Sequence, residues 1–310
     1  MLATLSVVLP IFALILVGWL ARWLGVLGPV ATSELNRFVV MLALPTLLFD
    51  IIAHTQWRDM WQPGFIAAFG LSSLGVYGLT LALRLRARLP LADAALDGLN
   101  AGYSNVGFMG LPLVLVALGP AALAPTTIAV ILTVCAIFAV AIVLIEIGLQ
   151  TERRGGRLAV KVAASLARNP LLVGPAAGAG VSLAGLAIPD GVETFLKLLG
   201  GAASPCALVA LGLFLAEKSE GGARHGPVTA LLVAFKLLAQ PLLAWAIASL
   251  LQLSPLLTHT VVLCAALPTG TGPFMLAEFY DRDAATTSRV ILLSTSLSVA
   301  TIAGYLFAIG

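Results

Sequence analysis

The chain has 310 residues, of which 60% are hydrophobic and only 10% charged, with a formal net charge of +3. A soluble domain carries about a quarter of its residues as Asp, Glu, Lys or Arg, so this composition excludes an ordinary water-soluble enzyme or regulatory domain. The surplus positive charge comes mostly from loop arginines, which speaks to orientation in a membrane and not to nucleic acid.

Apolar blocks of roughly 20 residues, the length that crosses hydrocarbon as a helix, follow one another along the chain. They predict spans near 5–24, 35–54, 63–84, 98–118, 124–150, 165–187, 191–216, 227–251, 257–279 and 286–308. The first begins close to Met1 with no basic stretch before it, so it is expected to be a retained span and not a cleaved signal peptide. The second carries Pro45 in LALPTLLF, then Asp50 and His54. The fourth, NAGYSNVGFMGLPLVLV, holds Asn100, Gly102, Ser104, Asn105, Gly107, Gly110 and Pro112. Glu146 is late in the fifth, and the basic cluster Arg153 to Lys161 follows it. The seventh has Pro205 in AASPCALVALGLF, and the eighth has Lys236, Gln240 and Pro241. In the ninth, ALPTGTGPFMLAEFY gathers Pro268, Thr269, Gly270, Thr271, Gly272 and Pro273. The cysteines Cys135, Cys206 and Cys264 lie in apolar blocks without metal-ligand spacing, and are expected to be small buried hydrophobes.

Fourteen of the seventeen Lys and Arg residues fall on the loops after the odd-numbered spans, against Arg58 and Lys197 on the other side. The positive-inside rule then puts those loops in the cytoplasm and both termini outside. Five spans per half make the halves antiparallel. The expected fold class is therefore an all-α polytopic membrane protein of ten transmembrane helices in two inverted repeats, 1–152 and 165–310, with broken fourth and ninth helices.

Those two breaks carry the functional expectation. Proline removes an amide donor and glycine releases the backbone from helical angles. Backbone freed at membrane depth must be satisfied by protein, water or ligand. Unwound segments at matching places in two halves point to a substrate site near the midplane. Half-helix N-termini suit a carboxylate, and the Asn105 amide holds one without a full charge. Thr269 and Thr271 offer hydroxyls from the other half, with Asn100 and Ser104 as further candidates or local caps. Asp50, Lys236 and Gln240 are candidates for coupling, because ionisable groups inside a membrane mark pathways or pairs; Lys236 and Gln240 share a helix face, and Asp50 and Lys236 can pair across the bundle. His54, His225, His259, Glu278 and Asp281 read as interfacial or loop residues. No zinc-protease, phosphate-loop or serine-hydrolase motif occurs in the sequence, so an enzyme is not expected.

SNVGFMGLP from Ser104 to Pro112, AALPTGTGPFMLAEFY from Ala265 to Tyr280, and LALPTLLF resemble the auxin efflux carrier family, which has bacterial members named as malonate and malate permeases. The resemblance covers essentially the full length. It implies a fold similar to bile-acid/sodium symporters and sodium/proton antiporters. Spans one, two, six and seven would form a scaffold, and spans three to five and eight to ten a transport domain. It places Pro112 and Pro273 on the crossover prolines and Asn105 on the asparagine that contacts an organic anion. It also implies a homodimer through scaffold helices. Plant members have Gln where this chain has Thr269, which argues against auxin as the substrate.

The function expected is a secondary active transporter in the bacterial inner membrane. It would carry a small organic anion, a mono- or dicarboxylate, by an elevator-like movement, as a uniporter or with a proton or a sodium ion as partner. The lipid bilayer is its medium and no cofactor is expected. The alternatives are a sodium- or proton-coupled cation antiporter of similar fold, and a channel.

Overall fold

A computed structural model describes residues 2–55, 60–150, 155–216 and 226–309. Its helices are α1 (Leu2–Trp23), α2 (Ala31–Ala53), α3 (Pro63–Arg86), α4 (Leu91–Gly102), α5 (Val106–Leu118), α6 (Pro120–Leu149), α7 (Gly155–Arg168), α8 (Pro170–Leu183), α9 (Asp190–Ala216), α10 (Gly226–Leu250), α11 (Pro255–Ala266), α12 (Gly272–Phe279) and α13 (Ala284–Ala308). Among the described residues six helices, α2, α3, α6, α9, α10 and α13, are long and apolar enough to cross a membrane. Shorter apolar helices are Leu9–Trp23, α5, α8 and α11. The chain is thus an all-helical polytopic membrane protein. Arg58, Arg153, Arg154, Lys218, Arg224 and His225 lie outside the described residues.

Two differences from the sequence expectation have simple causes. The block near 165–187 is divided at Asn169, whose side chain accepts from the Leu171 amide at 3.0 Å and caps the start of α8 at Pro170. The stretch before it, which reads as a loop because it is rich in Arg and Gly, is the helix α7; Lys161, Ser165 and Arg168 recur at helical spacing on one side while Val162 is buried. The fourth block starts earlier than expected, at Leu91, directly after Pro90, whose extended backbone (φ −55°, ψ 147°) marks the boundary.

Prolines shape the long helices in one repeated way. Pro45, Pro112 and Pro241 each stand two residues after a wide π turn, at Val39–Ala43, Val106–Gly110 and Phe235–Ala239. In each case the residue just before the proline reaches five residues back: Leu44 N–H to the Val39 carbonyl, Leu111 to Val106, and Gln240 to Phe235. Proline has no N–H for the carbonyl four residues earlier and its ring pushes that carbonyl aside. One wide turn absorbs the displacement without ending the helix.

In packing, α1 lies along α9, and α2 along α8 and α9, while α3, α4, α6, α10 and α11 pack among themselves, with α13 against α10 and α12. The α1–α9 contact is backbone to backbone. A Cβ on Gly18 would lie 2.1 Å from the Val209 carbonyl oxygen, and one on Gly212 would lie 2.0 Å from that of Ile15. Small residues permit such approach where lipid gives helices no hydrophobic reason to associate.

Candidate functional site

Two helices stop in the middle of the bundle. At the end of α11, Leu267 is extended (φ −60°, ψ 149°) because it precedes Pro268, which disfavours helical angles in its neighbour. At the end of α4, Tyr103 is also extended (φ −92°, ψ 101°). The two breaks satisfy each other. The Asn105 N–H donates to the Pro268 carbonyl at 2.9 Å and the Gly270 N–H to the Tyr103 carbonyl at 3.2 Å, so that Ser104 and Thr269 face each other as an antiparallel bridge. A two-residue sheet inside a helical bundle is how backbone polar groups are met where no water is at hand. Gly270 and Gly272 are required by the Tyr103 ring: a Cβ at Gly270 would stand 2.8 Å from its Cε1, and one at Gly272 2.7 Å from its Cζ.

Behind the bridge is a buried polar cluster. Lys236 has no solvent exposure, and its Nζ donates to Ser104 Oγ at 2.9 Å, Gln240 Oε1 at 2.5 Å and the Ala265 carbonyl at 2.8 Å. Gln240 Nε2 donates to Ser73 Oγ at 2.9 Å and to the Gly102 carbonyl at 3.4 Å. Thr269 and Asn100 belong to a neighbouring network. Thr269 Oγ1 donates to the Asn100 carbonyl at 2.8 Å, the Thr269 N–H to Ser294 Oγ at 3.1 Å, and Asn100 Nδ2 to Thr287 Oγ1 at 3.0 Å.

Beside the bridge is a cavity of about 310 Å³. Its walls are mostly apolar, with Leu44, Leu47 and Ile51 from α2, Phe108 and Leu111 from α5, and Val130 and Val134 from α6. The polar residues of the lining are Ser104, Asn105, Thr127, Ser204 and Thr271, and among the described residues no charged side chain lines it. Asn105 and Thr271 stand immediately before α5 and α12, so the starts of both helices are beside the cavity; the first amide of α5, Val106 N–H, donates to the Ser104 carbonyl at 2.8 Å, and Pro273 of α12 has none. The Ser204 hydroxyl is buried without a hydrogen-bond partner.

The structure therefore gathers Ser104, Asn105, Gly107 and Thr271 at the cavity. It places Thr269 and Asn100 outside the cavity lining, bonded to each other, and Lys236 and Gln240 behind the bridge. Pro268 lies in the break and Pro273 at the start of α12, whereas Gly110 and Pro112 lie past the break, in and after the π turn of α5. Asp50 is not paired with Lys236. Its carboxylate lies 3.0 Å from His54 Nδ1, one turn along α2, and Lys236 has its donors filled by oxygens at the bridge. Ser204 and Tyr103 were absent from the sequence candidates. Ser204 stands next to Pro205, the residue that marked the seventh block, and a polar residue beside a helix proline was the available signal.

Elsewhere, Glu146 accepts from Ser165 Oγ at 2.7 Å and from the Tyr280 hydroxyl at 2.8 Å, while Asn169 Nδ2 donates to that hydroxyl at 3.1 Å. The three cysteines are free thiols. Among the described residues no group of His, Cys, Asp and Glu is arranged to hold a metal ion.

Residues 3–306 match the family model described as "Membrane transport protein". A Rhizobium meliloti (strain 1021) protein named "Putative malonate transporter" is 31% identical over 98% of this chain and 95% of its own length. An "Uncharacterized transporter" of Methanothermobacter thermautotrophicus is 29% identical over 94% of both chains. A "Probable auxin efflux carrier component 3b" of Oryza sativa subsp. japonica is 35% identical over a shorter stretch, 37% of this chain and 21% of its own.

Proposed function

This chain belongs to the membrane transport protein family, that of the auxin efflux carriers, and from that premise we propose that it is a secondary transporter of small organic anions in a bacterial inner membrane. The observation that carries the reading is the cavity beside the bridge, where Asn105, Ser204 and Thr271 present polar groups next to the starts of α5 and α12. The positive end of a helix dipole favours a carboxylate, and Asn105 supplies a donor without a second charge. That no described residue of the lining is a cation, together with its apolar remainder, favours an acid with one carboxylate at the bridge over one that presents two charges to the wall. The relative named for malonate keeps dicarboxylates in the test.

In this reading the six long and four shorter apolar helices make ten spans, in inverted halves whose breaks are those at 103–105 and 267–271. The helices α1, α2, α8 and α9 are the scaffold, through which the protein dimerises. The helices α3 to α6 and α10 to α13 form the transport domain, with odd-numbered loops in the cytoplasm and both termini outside. The cavity has α2 and α9 residues on one wall and bridge residues on the other, which suits an elevator-like slide of one group against the other. The transport is proton-coupled or a uniport. The second reading, a cation antiporter of similar fold, has less support, because among the described residues the cavity lining holds no acidic side chain.

Uptake of radiolabelled malonate, malate and a monocarboxylate into proteoliposomes, with and without a pH or sodium gradient, tests the proposal. Saturable uptake whose KM Asn105→Ala raises roughly ten- to a hundredfold is the expected result. No flux of any acid under any gradient, from protein verified as folded and inserted, would remove the assignment.

A further inference from the structure

We propose that Lys236 is the resident cation of the helix crossing: its ε-ammonium occupies, between Ser104 Oγ, Gln240 Oε1 and the Ala265 carbonyl, the place a coupling sodium ion would take. Transport is then independent of sodium, and removal of the ammonium opens a site for a small monovalent cation. The inference rests on the transport reading of the same crossing and adds to it the identity of the group that balances the bridge.

The stoichiometry of donors and acceptors is complete. An ammonium has three N–H donors, and three oxygens receive them at 2.9, 2.5 and 2.8 Å. The orientation of Gln240 follows from its neighbours. The Gly102 carbonyl can only accept, so the Nε2 end of the amide must face it and the Oε1 end faces Lys236. Among the described residues no carboxylate lies within ion-pair distance of Lys236.

The counter-charge comes from the backbone instead. Gly102 ends α4 and Ala265 is in the last turn of α11, and each helix C-terminus carries about half a negative charge in unsatisfied carbonyls. The end of α11 meets the cation directly through the Ala265 carbonyl, and the end of α4 is linked to it through Gln240, whose Nε2 donates to the Gly102 carbonyl. The two N-terminal ends, of α5 and α12, stand beside the cavity, whose lining includes neither Lys236 nor Gln240. The crossing thus separates its dipoles, with negative ends toward Lys236 and positive ends toward the site for the anion. A hydroxyl, an amide oxygen and a main-chain carbonyl at a helix C-terminus are also the kind of oxygens that hold sodium in transporters with broken helices. Here the cation is tethered to the chain and fully buried.

The test needs no organic acid, so failure to find a substrate leaves it standing, and a negative result here leaves acid uptake standing. Thermal unfolding midpoints of the purified protein are compared in sodium, methylammonium and N-methyl-D-glucamine chlorides at equal ionic strength. Wild type is expected to unfold at the same temperature in all three. Lys236→Ala should be less stable in N-methyl-D-glucamine and regain roughly 3 °C or more in methylammonium and in sodium, by binding that favours the folded state. Lys236→Met fills the same volume without charge and should gain nothing from either ion. A sodium-specific rise in wild type, a flat response of Lys236→Ala, or an equal response of Lys236→Met would each overturn the proposal, and the wild-type arm stands even where a variant does not fold.

Discussion

Ser104 and Thr269, 165 residues apart in sequence, face each other at the centre of the bundle, and the two main-chain hydrogen bonds that flank them close both helix breaks. Ser104 also receives a bond from Lys236 while Thr269 donates to the Asn100 carbonyl. The pair therefore joins the first break, the second break and the buried lysine, and a disturbance at any of the three should be felt at the cavity.

Gly272→Ala tests the bridge itself. Its added Cβ would lie 2.7 Å from Tyr103 Cζ and 3.0 Å from Phe138 Cε2, and the Tyr103 ring has little room to turn away because it packs on Phe138 at 5.6 Å between centroids. Overpacking of about 1–3 kcal/mol is expected, with transport lowered roughly tenfold by misplacement of the Tyr103 segment. Tyr103→Leu in the same protein should recover part of the loss, measured as initial uptake per inserted protein.

Asn105 is expected to be the residue most sensitive to charge. Asn105→Ala removes a hydrogen bond to a charged group, about 1.5–3 kcal/mol or roughly ten- to a hundredfold in KM. Asn105→Asp preserves shape but sets a carboxylate against the substrate's own, and should be worse than Ala. Uptake by Asp equal to wild type would remove Asn105 from the anion site.

Ser204 gives a prediction of opposite sign for stability and function. Its hydroxyl is buried and lacks a partner in the protein, so Ser204→Ala should leave the unfolding midpoint unchanged or raise it. The same change should raise KM roughly fivefold, the value of about one neutral hydrogen bond. Loss of stability without a change in KM would show the hydroxyl to be structural.

Tyr280→Phe addresses movement. The Tyr280 hydroxyl ties Glu146 of α6 to Asn169, which begins α8, at 2.8 and 3.1 Å. If α8 and α6 slide past one another in each cycle, this link breaks each time. Its removal should raise turnover roughly two- to fivefold, about 1 kcal/mol of one hydrogen bond, with KM for the acid unchanged. Turnover that falls would show that the hydroxyl holds the productive arrangement.

The helical membrane class was legible from composition, because burial in lipid demands long apolar segments whatever their order. The break in the ninth block was legible because Pro268 acts on its immediate neighbour Leu267. The position of the fourth break was less so. Gly107, Gly110 and Pro112 drew attention past it, to a π turn that the chain accommodates within a continuous helix. The true break lies at Tyr103 to Asn105, where no proline stands and the cause is pairing with the other half.

Partners decided the rest. Periodicity and residue type determine which segments are helices, where a proline perturbs them, and that Asn105 and Lys236 are costly enough in a membrane to have a task. They do not determine which of two hydroxyls on Thr269 and Thr271 meets the cavity, nor that Lys236 is satisfied by a helix end and not by Asp50. Those outcomes depend on atoms brought together from segments more than a hundred residues apart, such as Ser104 with Gln240. Hydrogen bonds and helix dipoles act over a few ångströms of space without regard to distance along the chain, so only the tertiary structure assigns them.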